Sequence, residues 1–157
     1  MIIRPAEPSD SAAIYGLILG LAEYEKELDK VESTEQSIAA ALFGQGATVF
    51  AHVAVLEGVV VGTALWFRNF STWTGKTGIY LEDLFVLPEH RGAGVGTALL
   101  KALATLCVER DYGRFQWSVL DWNEPAINFY RSIGAKPLAD WTIFGLDRQA
   151  LAAFAAR

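Results

Sequence analysis

The stretch "VLPEHRGAGVGTALL", residues 86–100, constrains this chain more than any other. Glycines at 92, 94 and 96 interrupt any regular element, because glycine is costly to order and takes left-handed backbone freely. Before them stands "GIYLEDLFVL", β-rich and closed by Pro88. After them Val95, Leu99, Leu103, Leu106 and Arg110 fall at helical spacing. A strand must therefore turn into a helix across a glycine loop. Such a turn points several backbone N–H groups and a helix N-terminus at one place, which suits an anion such as phosphate.

The other segments arrange themselves around that turn. "IIRP" reads as a short edge strand stopped by proline. Ser9 or Asp10 is placed to cap a helix carrying Ile14, Leu17, Ile18, Leu21 and Leu28. Ser33-Thr34-Glu35-Gln36 has the form of a capping box and opens a second helix through Leu42 and Phe43. The run "TVFAHVAVLEGVVVGTALWF" is β-rich on both sides of Glu57-Gly58, which predicts a hairpin. Beyond the glycine-loop helix, "RFQWSVL" predicts a strand. Asn123 then caps a helix that has an acid and a proline in its first turn and ends at Gly134. "WTIFGL" predicts a last strand, and Asp147 caps a C-terminal amphipathic helix. The order β-αα-βββ-α-β-α-β-α implies an α/β fold of one domain over residues 1–157. Its mixed sheet would have antiparallel N-terminal strands, later β-α-β crossovers and helices on both faces.

Composition limits the partners. Hydrophobic residues make up 52% of the 157 and the net charge is −5. An acidic chain disfavours nucleic-acid binding through phosphate neutralisation and mildly favours a cationic or small neutral substrate. No apolar run reaches the roughly 18 residues of a membrane span. "MIIRPAEPSD" meets prolines and acids at once, unlike a secretory leader. With a single cysteine, no internal disulfide forms and a cytoplasmic location is expected.

Three phosphate loops compete for residues 91–97. A dinucleotide site needs G-x-G-x-x-G after an early strand and an acid about 20 residues on. Here the third glycine is Gly96 while Thr97 holds its required place, and Asp111 and Asp121 are poorly positioned. A nucleoside-triphosphate loop needs a lysine after its last glycine, and none follows Gly96. The third pattern, [RQ]-x-x-G-x-[GA], is met by Arg91-Gly92-Ala93-Gly94-Val95-Gly96. Through it the chain resembles the GCN5-related N-acetyltransferase superfamily. "YLEDLFVLPEHRG" and "DWNEPAINFYRSIGA" fall where that superfamily needs a strand and a second coenzyme-contacting helix. Their wording, with the opening "IRPAEPSD…LAEYEKE", is similar to the diamine branch, whose members act on spermidine, spermine, thialysine and related amines.

The resemblance implies acetyl-coenzyme A as acyl donor, with no metal, a small primary amine as acceptor, direct transfer without a covalent enzyme intermediate, and a homodimer. Gly92, Ala93, Gly94, Val95, Gly96 and Thr97 would take the pyrophosphate, with Arg91 adding charge. The backbone of Leu84, Phe85 and Val86 would meet the pantetheine arm in the manner of an added strand. Asn123, Glu124, Pro125 and Ala126 match a further coenzyme-contacting segment, although Asn123 also has a sufficient role as helix cap. Tyr130 matches the residue that protonates the departing thiolate. A phenol near pKa 10 can supply a proton to a thiolate whose acid lies near 8.5.

Strict alternation puts Tyr80, Glu82, Leu84 and Val86 on one face of their strand and Leu81, Asp83 and Phe85 on the other. Glu82 is the candidate base, acting through water, or else a cation binder; Asp83 projects from the opposite face. Tyr24 and Glu25 match a pair that contacts the amine, although "EYEKELDK" also reads as a solvated helix end. One departure bears on the substrate. Polyamine enzymes place an acid just before Trp-x-Gly-Lys, where this chain has Ser71-Thr72 in "FSTWTGK". Weaker recognition of a distant second ammonium follows, so a lysine-like amino acid or short diamine fits as well as spermine. A protein N-acetyltransferase and a non-catalytic coenzyme-binding module stand as alternatives. Cys107 reads as a buried inert thiol, and neither His52 nor His90 has partners for a metal.

Overall fold

The structure is a computed structural model describing residues 1–157. The chain divides into two compact units, residues 1–118 and 119–157.

The first unit is a five-stranded sheet in the order β1-β2-β3-β4-β5. Strands β1 (Ile2–Pro5), β2 (Val49–Leu56), β3 (Val59–Ser71) and β4 (Lys76–Val86) pair antiparallel in sequence order, and β5 (Phe115–Trp117) pairs parallel to β4. The Glu57-Gly58 hairpin joins β2 to β3 with both residues at positive φ, the geometry that a two-residue turn requires. Helix α3 (Val95–Glu109) makes the single β-α-β crossover, from β4 to β5.

Helices cover both faces. Helix α1 (Ser11–Tyr24) and helix α2 (Glu35–Phe43) share one face, where Ile14, Leu42, Ala51, Val53 and Leu65 form a buried cluster. A Cβ on Gly20 of α1 would lie 2.8 Å from the Phe85 ring, so that ring packs against α1. Opposite, α3 buries Val95, Leu99, Leu100, Leu103 and Cys107. Gly62 of β3 lets α3 approach: a Cβ there would stand 3.3 Å from Val95 and 3.1 Å from the Phe85 carbonyl. Burial also holds the Cys107 thiol above its ordinary pKa, in keeping with an inert core residue.

Several local expectations are corrected. Helix α1 stops at Tyr24, and Leu28 opens a separate 3₁₀ turn, Leu28–Lys30. Lys26 takes a left-handed backbone between the two, which ends the α-helical run. Asp10 does not cap α1 through its side chain. Its carboxylate takes two hydrogen bonds from the Arg4 guanidinium, at 2.7 and 2.9 Å, tying β1 to the start of α1. The capping box of α2 is one residue later than its sequence form suggests. Thr34 Oγ1 accepts from the Ser37 N–H and Ser37 Oγ accepts from the Thr34 N–H. Strand β5 keeps only the first part of "RFQWSVL".

The second unit holds α4 (Glu124–Ser132) and α5 (Arg148–Ala155). Asn123 caps α4 through the Ala126 N–H, and Asp147 caps α5 through the Ala150 N–H. Gly134, at positive φ, follows α4 as expected. "WTIFGL" forms no strand: residues 141–146 are irregular and exposed, with Phe144 92% accessible. β-propensity reports fit to a pleated, half-buried surface, and nothing in this unit supplies one.

Candidate active site

The site begins with an irregularity in β4. Leu65 of β3 pairs with Asp83, and the next residue, Trp66, pairs with Leu81. Glu82 is therefore an extra residue, a β-bulge. Alternation breaks there, which corrects the facing read from the sequence. Tyr80, Asp83 and Phe85 pair with Phe67, Leu65 and Thr63 and share the α1 face. Leu81, Leu84 and Val86 pair with Trp66, Ala64 and Gly62 and share the α3 face. Glu82 belongs to neither row and is exposed.

The bulge also marks where the sheet opens. β5 pairs with β4 at Ile79, Tyr80 and Leu81 and no further, so residues 82–86 leave their β5-side edge unpaired. Tyr80 and Ser118 share a hydroxyl hydrogen bond of 2.6 Å at the last point of closure. Leu84, Phe85 and Val86 thus offer main-chain groups along an open edge. Any extended ligand carrying an amide can add to such an edge as a strand would.

Next along the chain lies the glycine loop. Gly92 and Gly94 have φ of 77° and 79°, a backbone that L residues rarely adopt, and Gly94 is the N-cap of α3. Ala98 donates to the Gly94 carbonyl, so the N–H groups of Val95, Gly96 and Thr97 precede the first intrahelical bond. Gly96 has neither a positive φ nor a crowded Cβ: the nearest atom would be Val86 Cγ2, at 3.9 Å. Nothing within the protein requires glycine at 96. Open space above 92, 94 and 96, at a helix N-terminus, fits a bound pyrophosphate. Arg91 has partners within the chain. Its guanidinium stacks on the Tyr24 and Phe85 rings, 5.0 and 5.1 Å from their centroids, and its Nε donates to the Val86 carbonyl at 3.0 Å. Arg91 therefore joins the end of α1 to the end of β4.

On the α1 side, the end of that helix and the 3₁₀ turn border an open cavity of about 190 Å³ against β4. Apolar Ile18 and Leu21 line it together with Glu25, Glu27, Lys30 and Asp83. Burial, with Glu82 and Glu25 near, pushes the Asp83 carboxyl up to about 6. Glu25 is raised too, by burial and by Glu27. Half-buried carboxylates that raise each other's pKa favour a cation that neutralises them. Of the residues expected on the amine side, Glu25 lines this cavity, and Tyr24 lies beside it under Arg91. Glu82 stands outside the lining, on the exposed bulge. Asp83, two residues before Phe85 in unbroken register, faces α1 with it and so lines the cavity. Glu27 and Lys30, which pair with each other, carry no sequence signal beyond a charged run.

Asn123, Glu124, Pro125 and Ala126 form the first turn of α4, and Tyr130 lies farther along it, its ring 5.4 Å from that of Phe129. No group of three or more His, Cys, Asp or Glu side chains is arranged to hold a metal. His52 is accounted for structurally. Its Nδ1 accepts from the Trp66 indole at 3.2 Å, which requires the neutral ring, and burial lowers its pKa accordingly.

Comparison with known proteins bears on the family and the fold. Residues 17–135 match the model of the acetyltransferase (GNAT) family. The chain is similar to thialysine N-epsilon-acetyltransferase of Mus musculus, with 36% identity over 99% of this chain and 97% of that one. It is similar to an L-ornithine N5-acetyltransferase of Arabidopsis thaliana, with 31% identity over 96% of this chain and 86% of the other. Among solved structures, an integron cassette protein from the mobile metagenome of V. cholerae superposes with a TM-score of 0.84 at 26% identity, covering 99% and 98% of the two chains.

Proposed function

Because the chain belongs to the GNAT acetyltransferase family, we propose that it moves an acetyl group from acetyl-coenzyme A to a primary amine of a small molecule. The acceptor is a lysine-like amino acid, a short diamine or a polyamine. The observation that carries this reading is the juxtaposition along β4: an unpaired edge, the glycine loop at its end, and the Asp83–Glu25 pocket on one face. Similarity to relatives named for thialysine and L-ornithine supports an acceptor bearing a terminal amine.

Each demand of the reaction falls to named groups. Backbone N–H groups of residues 92–97 bind pyrophosphate, and the edge of Leu84, Phe85 and Val86 aligns the pantetheine arm. Asn123, Glu124, Pro125 and Ala126 add contacts to the coenzyme. The bound coenzyme supplies a thioester carbonyl to attack. Asp83 and Glu25 hold the incoming ammonium, with Tyr24 beside them. Glu82, exposed on the bulge, takes the proton of that ammonium through water, and Tyr130 returns a proton to the departing thiolate. An unprotonated amine is the nucleophile, so the carboxylates must position the cation without holding its proton permanently.

The protein is further proposed to act as a homodimer. Trp141, Ile143 and Phe144 are 73%, 81% and 92% exposed, large apolar side chains that a second copy would cover. The test is a panel of L-lysine, L-ornithine, thialysine, short diamines, spermidine and a lysine-containing peptide with acetyl-coenzyme A, read by free thiol release. Turnover of one or more small amines is expected. Turnover of the peptide alone would replace the reading with a protein acetyltransferase, and binding of the coenzyme without any turnover would replace it with a binding module.

A further inference from the structure

Strands β4 and β5 part at one place. Their last pair is Leu81 with Trp117, and the next residues are the bulge Glu82 on β4 and Ser118 just past the end of β5. There the Tyr80 and Ser118 hydroxyls lie 2.6 Å apart and share one hydrogen bond. The Tyr80 ring is set against β3 by the Phe67 ring, 5.2 Å away between centroids. Leu81, 2% exposed, anchors the last pair in the core of the opposite face. The core itself has no need of the hydroxyl bridge. Tyr80 is half-buried and Ser118 exposed, so water can satisfy both oxygens.

The course of the coenzyme arm leads to this bridge. Pyrophosphate at residues 92–97 lies beyond the C-terminal end of β4, so an arm laid along Val86, Phe85 and Leu84 runs back toward lower numbers. From Val86 to Glu82 a strand rises about 13 Å, which brings the thioester end to the place where β5 closes the edge. The amine approaches from the α1 face, where Asp83 lines the cavity, and Tyr80 shares that face. An acyl group turned toward the amine therefore meets the two hydroxyls.

We propose that the Tyr80–Ser118 bridge is the end stop of the acyl site and selects acetyl over longer acyl groups. This rests on the acetyltransferase reading above and deepens it, by assigning the choice of acyl donor to two residues. The methyl of an acetyl group stops short of the bridge. A propionyl or butyryl chain has to pass between the two oxygens, which breaks their bond and sets each hydroxyl against a methylene instead of a partner. Phe67 holds the Tyr80 ring and buried Leu81 holds the strand pair, so the site does not widen to make room.

The experiment compares acetyl-, propionyl- and butyryl-coenzyme A, with free coenzyme A as the reference ligand. Kd is measured by calorimetric titration of the full chain, and kcat/KM by thiol release with an amine that is turned over. Wild type is expected to lose about tenfold for each methylene added, the lower end of what one methylene costs in a fitted site. Tyr80→Phe and Ser118→Gly each remove the bridge and should narrow the gap between acetyl and butyryl by about tenfold. Ser118→Thr, which keeps the hydroxyl, should retain the gap. A purely structural role for the pair would weaken every donor alike and leave their ratio unmoved. Circular dichroism shows that each variant has folded, which the exposed position of Ser118 favours. Equal values of wild type for acetyl- and butyryl-coenzyme A, or an unchanged ratio in folded Tyr80→Phe and Ser118→Gly, would overturn the proposal. Failure to bind any of the four coenzyme forms would remove the acetyltransferase reading together with it. Binding without regard to acyl length would remove the end stop alone.

Discussion

Asp83 carries the most information of any single residue, because its ionisation is set by its surroundings. Unfolded, the carboxyl would titrate near 3.8; folded, it lies at about 6, held there by burial and by Glu82 and Glu25. Between those values the folded chain retains a proton that the unfolded chain has lost. Stability therefore falls as pH rises from about 4 through 6, by at most roughly 3 kcal/mol. Asp83→Asn should abolish this slope in urea titrations across that range, leaving the variant more stable than wild type at neutral pH. The same substitution should cost function. If the Asp83 anion binds the ammonium, kcat/KM for the amine rises with pH through about 6 in wild type, and that step is absent in the variant. A second prediction concerns Tyr130. Tyr130→Phe should lower kcat by about 10²–10⁴-fold if the phenol protonates the thiolate; an unchanged rate at saturating amine would take it out of the reaction.

At the scale of elements, two glycines separate packing from ligand binding. Gly62→Ala places a methyl against the Phe85 carbonyl, Val86 and Val95, and should destabilise the fold by about 1–3 kcal/mol in thermal or urea unfolding. Gly96→Ala meets nothing closer than 3.9 Å and improves helix propensity by up to about 1 kcal/mol. Stability should hold or rise, while Kd for acetyl-coenzyme A, followed by calorimetry, should rise. Weakened folding together with unchanged coenzyme affinity would assign Gly96 to packing instead. The sequence made this loop legible because glycine spacing and the flanking periodicities are local signals. The bulge was not legible. Glu82 and Asp83 alternate in sequence like any pair, and only the register with Leu65 and Trp66 shows that one of them is extra. That single residue exchanges which side chains face α1. Likewise "WTIFGL" has strand composition and no strand, because pairing is a tertiary matter that propensity does not report.

For the whole molecule, sequence order sufficed for the α/β class, the antiparallel start of the sheet and the crossover through α3, since those follow from element sequence and handedness rules. The cavity beside α1, proposed to take the acceptor, was only half legible. Tyr24 and Glu25 were expected there, whereas Glu27, Lys30 and Asp83 are gathered by the fold from a charged run and a strand with no shared pattern. Exposed Trp141, Ile143 and Phe144 give a prediction at this scale: light scattering after gel filtration should return the mass of two chains, and Phe144→Glu should shift it toward one. The central claim, transfer of an acetyl group from coenzyme A to a small amine, is tested most directly by stoichiometry. Acetyl-coenzyme A and L-lysine are mixed with the enzyme, thiol release is followed, and the product nitrogen is located by NMR. The account predicts one thiol released per terminal N-acetyl group formed, and no thiol burst when the amine is omitted. Thiol release independent of the amine, or none with L-lysine, L-ornithine or any diamine, would contradict it.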